Sequence, residues 1–291
     1  SVETENELWK TVEEKLLAPG CNYYSMEFKN VTMKMHVLEI DLTNPGLEVT
    51  TAYADDIVPN PNANANKNNG FNLRETLSQL CARKTAEGED VIAGINTGYF
   101  DSNDGFGRGP HIEEGELVYM NNPAVVSALG NHAWAFTIFR DNTASCGKKV
   151  FSGKIEIAGK EYPFYSVNDT IVRGNSASRM ASYPINLYTS RYVKHPHPER
   201  QDIVNRLSDK ALYITAKYKE SNMTVNNGWF SATVTAISDG RTAALDEAPY
   251  LTDRKEVGTQ VTGKTADEIA AAVKAGDEIR LSAEMSVEGM V

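Results

Sequence analysis

The sequence predicts an α+β protein built from mixed, mainly antiparallel sheets with a few flanking helices. Three observations predict it. Strand-like runs outnumber helical ones, they do not alternate with helices as a doubly wound sheet requires, and no internal repeat recurs at a period of 20 to 50 residues, which sets aside solenoids and propellers. The 291 residues give room for one large domain or two ordinary ones.

The elements follow in order. Glu3 to Leu17 reads as a helix with Leu8, Val12 and Leu16 at steps of four and Pro19-Gly20 closing it, so that residues 1–19 form an outer N-terminal helix. From Tyr23 the pattern is strand-like, and Met33 to Leu42 is the longest run; its apolar face switches between Val37 and Leu38, which a bulge or two buried faces would explain. Asn44-Pro45-Gly46 is a turn, and Leu47 to Tyr53 reads as the returning strand. The Asn-rich stretch 60–72 can fill no core and reads as a surface loop. Asn72 then caps a helix with Glu75 at the capping-box position and Leu73, Leu77, Leu80 and Cys81 on one face. Asp90 to Ile95 is a short apolar strand that leads directly into Asn96-Thr97-Gly98-Tyr99-Phe100-Asp101. Beyond Val150 the chain is β-rich: Lys154 to Ile157, Ile185 to Tyr188, Leu212 to Lys217 and Trp229 to Ile237 read as strands, the last with Phe230, Ala232, Val234 and Ala236 on one face. Thr265 to Ala275 reads as a helix with a Thr265/Glu268 capping box, an Ile269/Val273 stripe and a Gly276 stop. Glu278 to Ala283 is a final strand. Segments 20–150 and 151–291 differ in texture, the second being a β-rich continuation or an inserted subdomain.

Composition excludes several classes. With 41% apolar and 23% charged residues, and 13 Tyr, 9 Phe and 3 Trp, general disorder is not expected. No apolar run approaches the roughly 20 residues of a membrane helix, so no membrane span is expected. The net charge of -10 repels phosphate backbones and argues against nucleic acid and anionic membranes. Cys21, Cys81 and Cys146 lie too far apart for a metal knuckle and are expected to be buried thiols, with one bridge at most. Ser1 is followed by a polar, acidic stretch, so no signal peptide is read at the start.

Several chemistries lack a handle. Asp101-Ser102-Asn103-Asp104-Gly105-Phe106-Gly107 invites a calcium reading, but an EF-hand needs an oxygen ligand, Gly and Glu where Gly105, Phe106 and Ile112 stand, which leaves only an irregular site. His195-Pro196-His197 has no companion spacing for zinc, and the other histidines, His36, His111 and His132, are scattered. A GxSxG elbow, a Rossmann fingerprint and a P-loop are all missing. No metal and no cofactor are therefore expected. What remains is Val91 to Tyr119, where Asp101, Arg108, His111, Glu113, Glu114 and Glu116 crowd together after two Gly-relaxed turns. Carboxylates and basic groups on such a segment suit acid, base and anion-clamp roles in glycosyl chemistry, and also suit a solvated loop.

The same stretch carries a resemblance. Val91-Ile-Ala-Gly-Ile-Asn96-Thr-Gly98-Tyr-Phe100-Asp101 and Gly109-Pro-His-Ile112-Glu-Glu-Gly115-Glu116-Leu-Val118 resemble the signature of the phosphodiester glycosidase family. Trp134 to Asn142 and Asn186-Leu187-Tyr188-Thr189 resemble later strands of that family. Thr97 and Tyr99 stand where the family usually has Gly and Phe. No proline here is followed by Arg and no two glycines are adjacent, so the family's Pro-Arg-Thr and Asp-Gly-Gly-Gly-Ser segments have no counterpart.

The resemblance implies that residues 20–150 hold the first half of such a domain, with the rest of its site expected beyond the chain's end. It implies hydrolysis of sugar-1-phosphodiesters by an exported bacterial protein, secreted, periplasmic or at the cell surface, with a phosphate-linked sugar or polysaccharide as partner. Under it Asp101 and Glu116 are the candidate catalytic carboxylates. Asn96 and Gly98 would shape the sugar or phosphate pocket, Phe100 would pack beneath the turn, and Arg108 or His111 would meet the anion. The rival readings are a non-catalytic carbohydrate-binding or cell-envelope protein on the same scaffold, and a structural domain whose Asn96-to-Asp101 turn merely ends a strand.

Overall fold

The computed structural model describes residues 2–3, 5–56, 58, 75–100, 107–120, 134–169, 183–191, 211–242, 251 and 253–290. The chain divides into two units, one of residues 1–50, 81–95 and 137–144, the other of residues 51–80, 96–136 and 145–291. Strands far outnumber the two α-helices among the described residues, and every paired strand runs antiparallel to its neighbours. The fold is α+β.

The first unit contains a three-stranded meander of β1 (Trp9–Ala18), β2 (Cys21–Phe28) and β3 (Lys34–Ile40). The helix expected over Glu3 to Leu17 is thus a strand. Its spacing of four marks no buried stripe, because Leu8, Val12 and Leu16 are 56%, 47% and 69% exposed. Pro19-Gly20 closes no helix; it turns the β1–β2 hairpin between the paired residues Ala18 and Cys21, with Gly20 at φ +84°. That is the position where a type II turn wants glycine. Trp9 faces Phe28 across the ladder with ring centroids 6.2 Å apart, and Tyr24 and Met26 are buried. From Val37 onward both faces of β3 are half-buried, so the switch of apolar face needs no bulge there; the irregular pairings lie in β1 instead. Leu47 to Tyr53 forms no strand.

Helix α1 (Leu77–Ala86) starts later than the Asn72 cap predicts. Thr76 and Gln79 form the capping box: Thr76 Oγ1 accepts from the Gln79 amide at 3.3 Å and Gln79 Oε1 accepts from the Thr76 amide at 3.0 Å. Asn72 and the loop 60–72 lie outside the described residues. Asp90 to Ile95 is not the expected strand: it carries no regular structure, and Ile92 and Ile95 are 40% and 71% exposed.

A short 3-10 turn (Ala54–Asp56) opens the second unit's chain. Its strands begin with β4 (Tyr99–Phe100), β5 (Gly107–Arg108), β6 (His111–Glu113) and β7 (Glu116–Tyr119), paired as β4–β5 and β6–β7. Next come β8 (Trp134–Ile138), β9 (Ala144–Ile157), β10 (Lys160–Phe164), β11 (Ile185–Thr189), β12 (Leu212–Tyr218), β13 (Phe230–Asp239), β14 (Glu256–Val261), helix α2 (Gly263–Ala272) and β15 (Glu278–Met290). The large sheet runs β10-β9-β15-β13-β12-β14-β11, with β8 alongside β9.

Register places the core on one face. Ile185 pairs with Val261 and Val261 with Leu212; Tyr218 pairs with Ala232, Ala232 with Ile279 and Ile279 with Ile157. All of these are buried. Phe164 lies opposite Gly153, where a Cβ would strike its ring, so glycine makes room for the aromatic. Thr259 stands in the same apolar row, and its hydroxyl finds no partner among the described residues. The alternation expected along Phe230 to Ala236 holds for Phe230, Ala232 and Val234 and then breaks. The pairing skips Thr235, so Ala236 is exposed and Ile237 turns to the core.

Helix α2 buries Ala266 and Ile269 in this core. It begins after Thr262, which makes no side-chain cap, so Thr265 lies inside the helix and the expected Thr265/Glu268 box does not form. Glu268 instead accepts from Tyr162 on β10 at 3.0 Å. No helix among the described residues is long and apolar enough to cross a membrane.

Candidate functional site

The acidic stretch of the motif folds as the β6–β7 hairpin. Glu114 and Gly115 at its tip have φ of +50° and +82°, the two left-handed residues of a type I′ turn, whose twist matches the strands it joins. Leu117, Val118 and Met120 are buried. Met120 exchanges backbone hydrogen bonds with Val167, and Asn168 Nδ2 donates to the Val118 carbonyl at 2.8 Å. The hairpin is therefore fixed to the main core by both backbone and side chain.

The pairing sets Glu113 directly opposite Glu116, an arrangement of like charges that is unfavourable without a cation. Arg191, just beyond the end of β11, supplies it. Its Nε and Nη2 donate to the two oxygens of Glu116 at 3.3 and 3.2 Å, and its Nη1 donates to Glu113 and to the Tyr53 hydroxyl at 2.8 Å each. The fork binds Glu116 in the bidentate geometry that guanidinium favours. Arg254 Nη2 also donates to Glu116 at 3.3 Å, from a side chain 72% exposed.

His111 lies beside this network. Its Nε2 is 2.8 Å from Thr51 Oγ1, and its ring meets the rings of Tyr53 and Tyr119 edge-on at 5.2 and 5.3 Å. Burial, reinforced by the Arg191 charge, lowers its pKa to about 4, so the ring is neutral at neutral pH. Burial raises the Tyr119 hydroxyl to about 12 and also raises Tyr53, against the opposing pull of Arg191. Burial works against the Arg191 charge, but hydrogen bonds to Glu116 and Tyr53 outweigh it and raise its pKa. A small pocket opens beside Glu116, floored by Leu117, Leu187 and Met223 and edged by Asn222 and Arg254.

The sequence candidates fare differently. Glu116 and His111 come together in this cluster, with Glu113. Asn96 and Gly98 are exposed, and no hydrogen bond joins Asn96 to the Arg191 network among the described residues. Gly98 has φ +70°, with no described residue within 4 Å of where its Cβ would lie. The backbone of Arg108 pairs with Tyr99. Asp101, the calcium-like run through Phe106, His132 and the His195/His197 pair lie outside the described residues, as do the side chains of Phe100 and Arg108. Among the described residues no group of three acidic, His or Cys side chains could hold a metal ion. Arg191, Arg254 and Tyr53 were not among the sequence candidates. A signal for Arg191 exists: two glutamates flanking a two-residue hairpin tip require a cation, and an arginine closely follows the predicted strand Ile185 to Tyr188.

No protein-family model matches the chain, and no curated protein does. Among solved structures, a crystal structure from Burkholderia pseudomallei described as "Putative exported protein" is similar at a TM-score of 0.49 and 15% identity, over 92% of this chain and 47% of that one. The chain thus spans about half the length of that protein.

Proposed function

We propose that the protein hydrolyses sugar-1-phosphodiesters outside the cytoplasm, with the Glu113/Glu116/Arg191 cluster and its adjoining pocket as the site. The reading begins from the resemblance of Val91 to Val118 to the phosphodiester glycosidase signature. The observation that carries it is the convergence of the motif's second half on Arg191: carboxylates, a neutral imidazole and the Arg191 guanidinium share one half-buried corner instead of dispersing in solvent, with the exposed Arg254 at its edge. Arg254, whose side chain meets Glu116 alone among the described residues and is otherwise exposed, is the group suited to meet a phosphate. Glu113 gives one oxygen to Arg191 and keeps the other uncommitted among the described residues, which suits it to accept a proton from water. Glu116, with both oxygens engaged by guanidinium groups, holds the corner together.

The test is release of reducing sugar from a panel of sugar-1-phosphate methyl diesters. Turnover should fall by about 10²-fold or more in Glu113→Gln, and KM should rise in Arg254→Ala. No release from any member of the panel would remove the assignment.

A second reading, non-catalytic binding of phosphate-linked glycans, is favoured by the full engagement of Glu116. Calorimetric binding of the same diesters without turnover, weakened by Arg254→Ala, would select it.

A further inference from the structure

We infer that Lys149 is a reactive amine, set on the inward face of the β9–β15 ribbon beside Met120, that captures carbonyl compounds. It does not depend on the proposed hydrolysis.

The placement is anomalous for a lysine. Along β9 the inward row is Gly147, Lys149, Phe151, Gly153, Ile155 and Ile157, in which Gly147, Gly153, Ile155 and Ile157 are buried and Phe151 packs on the core. Lys149 stands in this row, opposite Val287 of β15, where an apolar residue is expected. Its ammonium donates to the Met120 thioether at 3.1 Å, a weak acceptor. No carboxylate lies within ion-pair distance of it among the described residues.

The same-face neighbours on β15, Met285 and Val287, and Met120 just beyond β7 are uncharged, and the charge that reaches the amine is that of Asp169, itself 1% exposed. Desolvation lowers the amine to about 8, with Asp169 opposing. At pH 7.5 roughly a quarter of such a group is free base, against about one part in a thousand for an ordinary lysine. Desolvated amines of this kind are the nucleophiles of Schiff-base chemistry.

The step is redox-neutral. The nitrogen lone pair attacks the carbonyl carbon and forms a C–N bond, while the C=O π pair moves to oxygen and takes a proton. One amine proton having passed to that oxygen, the neutral carbinolamine loses its hydroxyl together with the other N–H proton as water, leaving an imine. In its protonated form the imine keeps a positive charge within the field of Asp169.

The unaltered full chain, incubated with glycolaldehyde and cyanoborohydride at pH 7.5 and mapped by peptide mass spectrometry, tests this directly. The exposed Lys148 next in sequence is the internal control. Lys149 should be alkylated at least about tenfold faster than Lys148, after allowing for the lower intrinsic nucleophilicity of a weaker base. Its rate should rise with pH to a midpoint near 8. Modification no faster than at Lys148, or a midpoint shared with the exposed lysines, would overturn the inference.

Discussion

Two limbs lead away from the short β4–β5 ladder, and they are held in opposite ways. From Ile92 to Gly98 every residue is exposed and the backbone carries no regular structure. From His111 to Met120 the chain is a hairpin with three buried apolar side chains, a backbone exchange with Val167 and an arginine tying its two strands together. The exposed limb is the more apolar of the two, with only Asn96 and Thr97 polar, so composition does not explain which one is anchored. The difference is a partner remote in sequence: Arg191 converts two opposed glutamates from a liability into an anchor, and nothing comparable reaches Asn96 among the described residues. Polar clustering in a sequence becomes a site where the fold delivers the countercharge.

The sharpest way to break this contrast is to remove that countercharge. Arg191→Met should leave Glu113 and Glu116 facing each other half-buried, and urea unfolding should report a loss of about 3 kcal/mol. A loss below about 1 kcal/mol would mean that the apolar residues alone hold the hairpin.

Next in size is the pH response of His111. Its pKa of about 4 in the folded chain lies below the ordinary 6.5, so between those values the unfolded chain takes up a proton that the folded chain refuses. The contribution is intact above pH 6.5 and declines as pH falls toward 4, by about 2–3 kcal/mol in all. Unfolding at pH 7, 5.5 and 4.5 should show that slope, and His111→Gln should flatten it.

The glycines of the two limbs offer a smaller contrast. A Cβ at Gly107 would run into the Tyr119 ring, whereas at Gly98 it would meet nothing within 4 Å among the described residues, and there the φ of +70° opposes it. Gly107→Ala should therefore lower stability by about 2 kcal/mol and Gly98→Ala by about 1 kcal/mol, in thermal or urea unfolding. Smallest is Asn96→Ala, expected within about 0.5 kcal/mol of the parent; a larger change would show that the exposed limb is held after all.

The sequence made the large sheet easier to read than the motif. Leu212 to Lys217, Ile185 to Tyr188 and Glu278 to Ala283 alternate or run apolar because they face a continuous core, and each is a strand. The failures have local causes. Leu8, Val12 and Leu16 imitate a helical stripe although none is buried, and Val12 and Thr11 are β-branched residues that suit the strand they form. Asp90 to Ile95 is apolar in composition yet its isoleucines face solvent, so apolarity alone misplaced a strand. In the site, Glu116 and His111 were visible as chemistry-bearing residues, while Tyr53, Arg191 and Arg254 come from 58 to 138 positions away from their partners in the chain. Pairing over such distances is set by sheet order and turn geometry, which a linear pattern does not encode.

Burial also divides the thiols, which were expected to be uniformly interior. Cys21 is buried, Cys81 is half-buried and Cys146 on β9 faces solvent, and all three are free. A solvent-facing thiol does not stay free in an oxidising compartment; it takes a small-molecule cap or joins a second copy, whereas glutathione keeps it reduced in a cytosol. Cys146 is therefore a chemical record of where the chain has been. The intact mass of protein taken from its native compartment, read before and after reduction, would report whether that compartment is oxidising without reference to any activity.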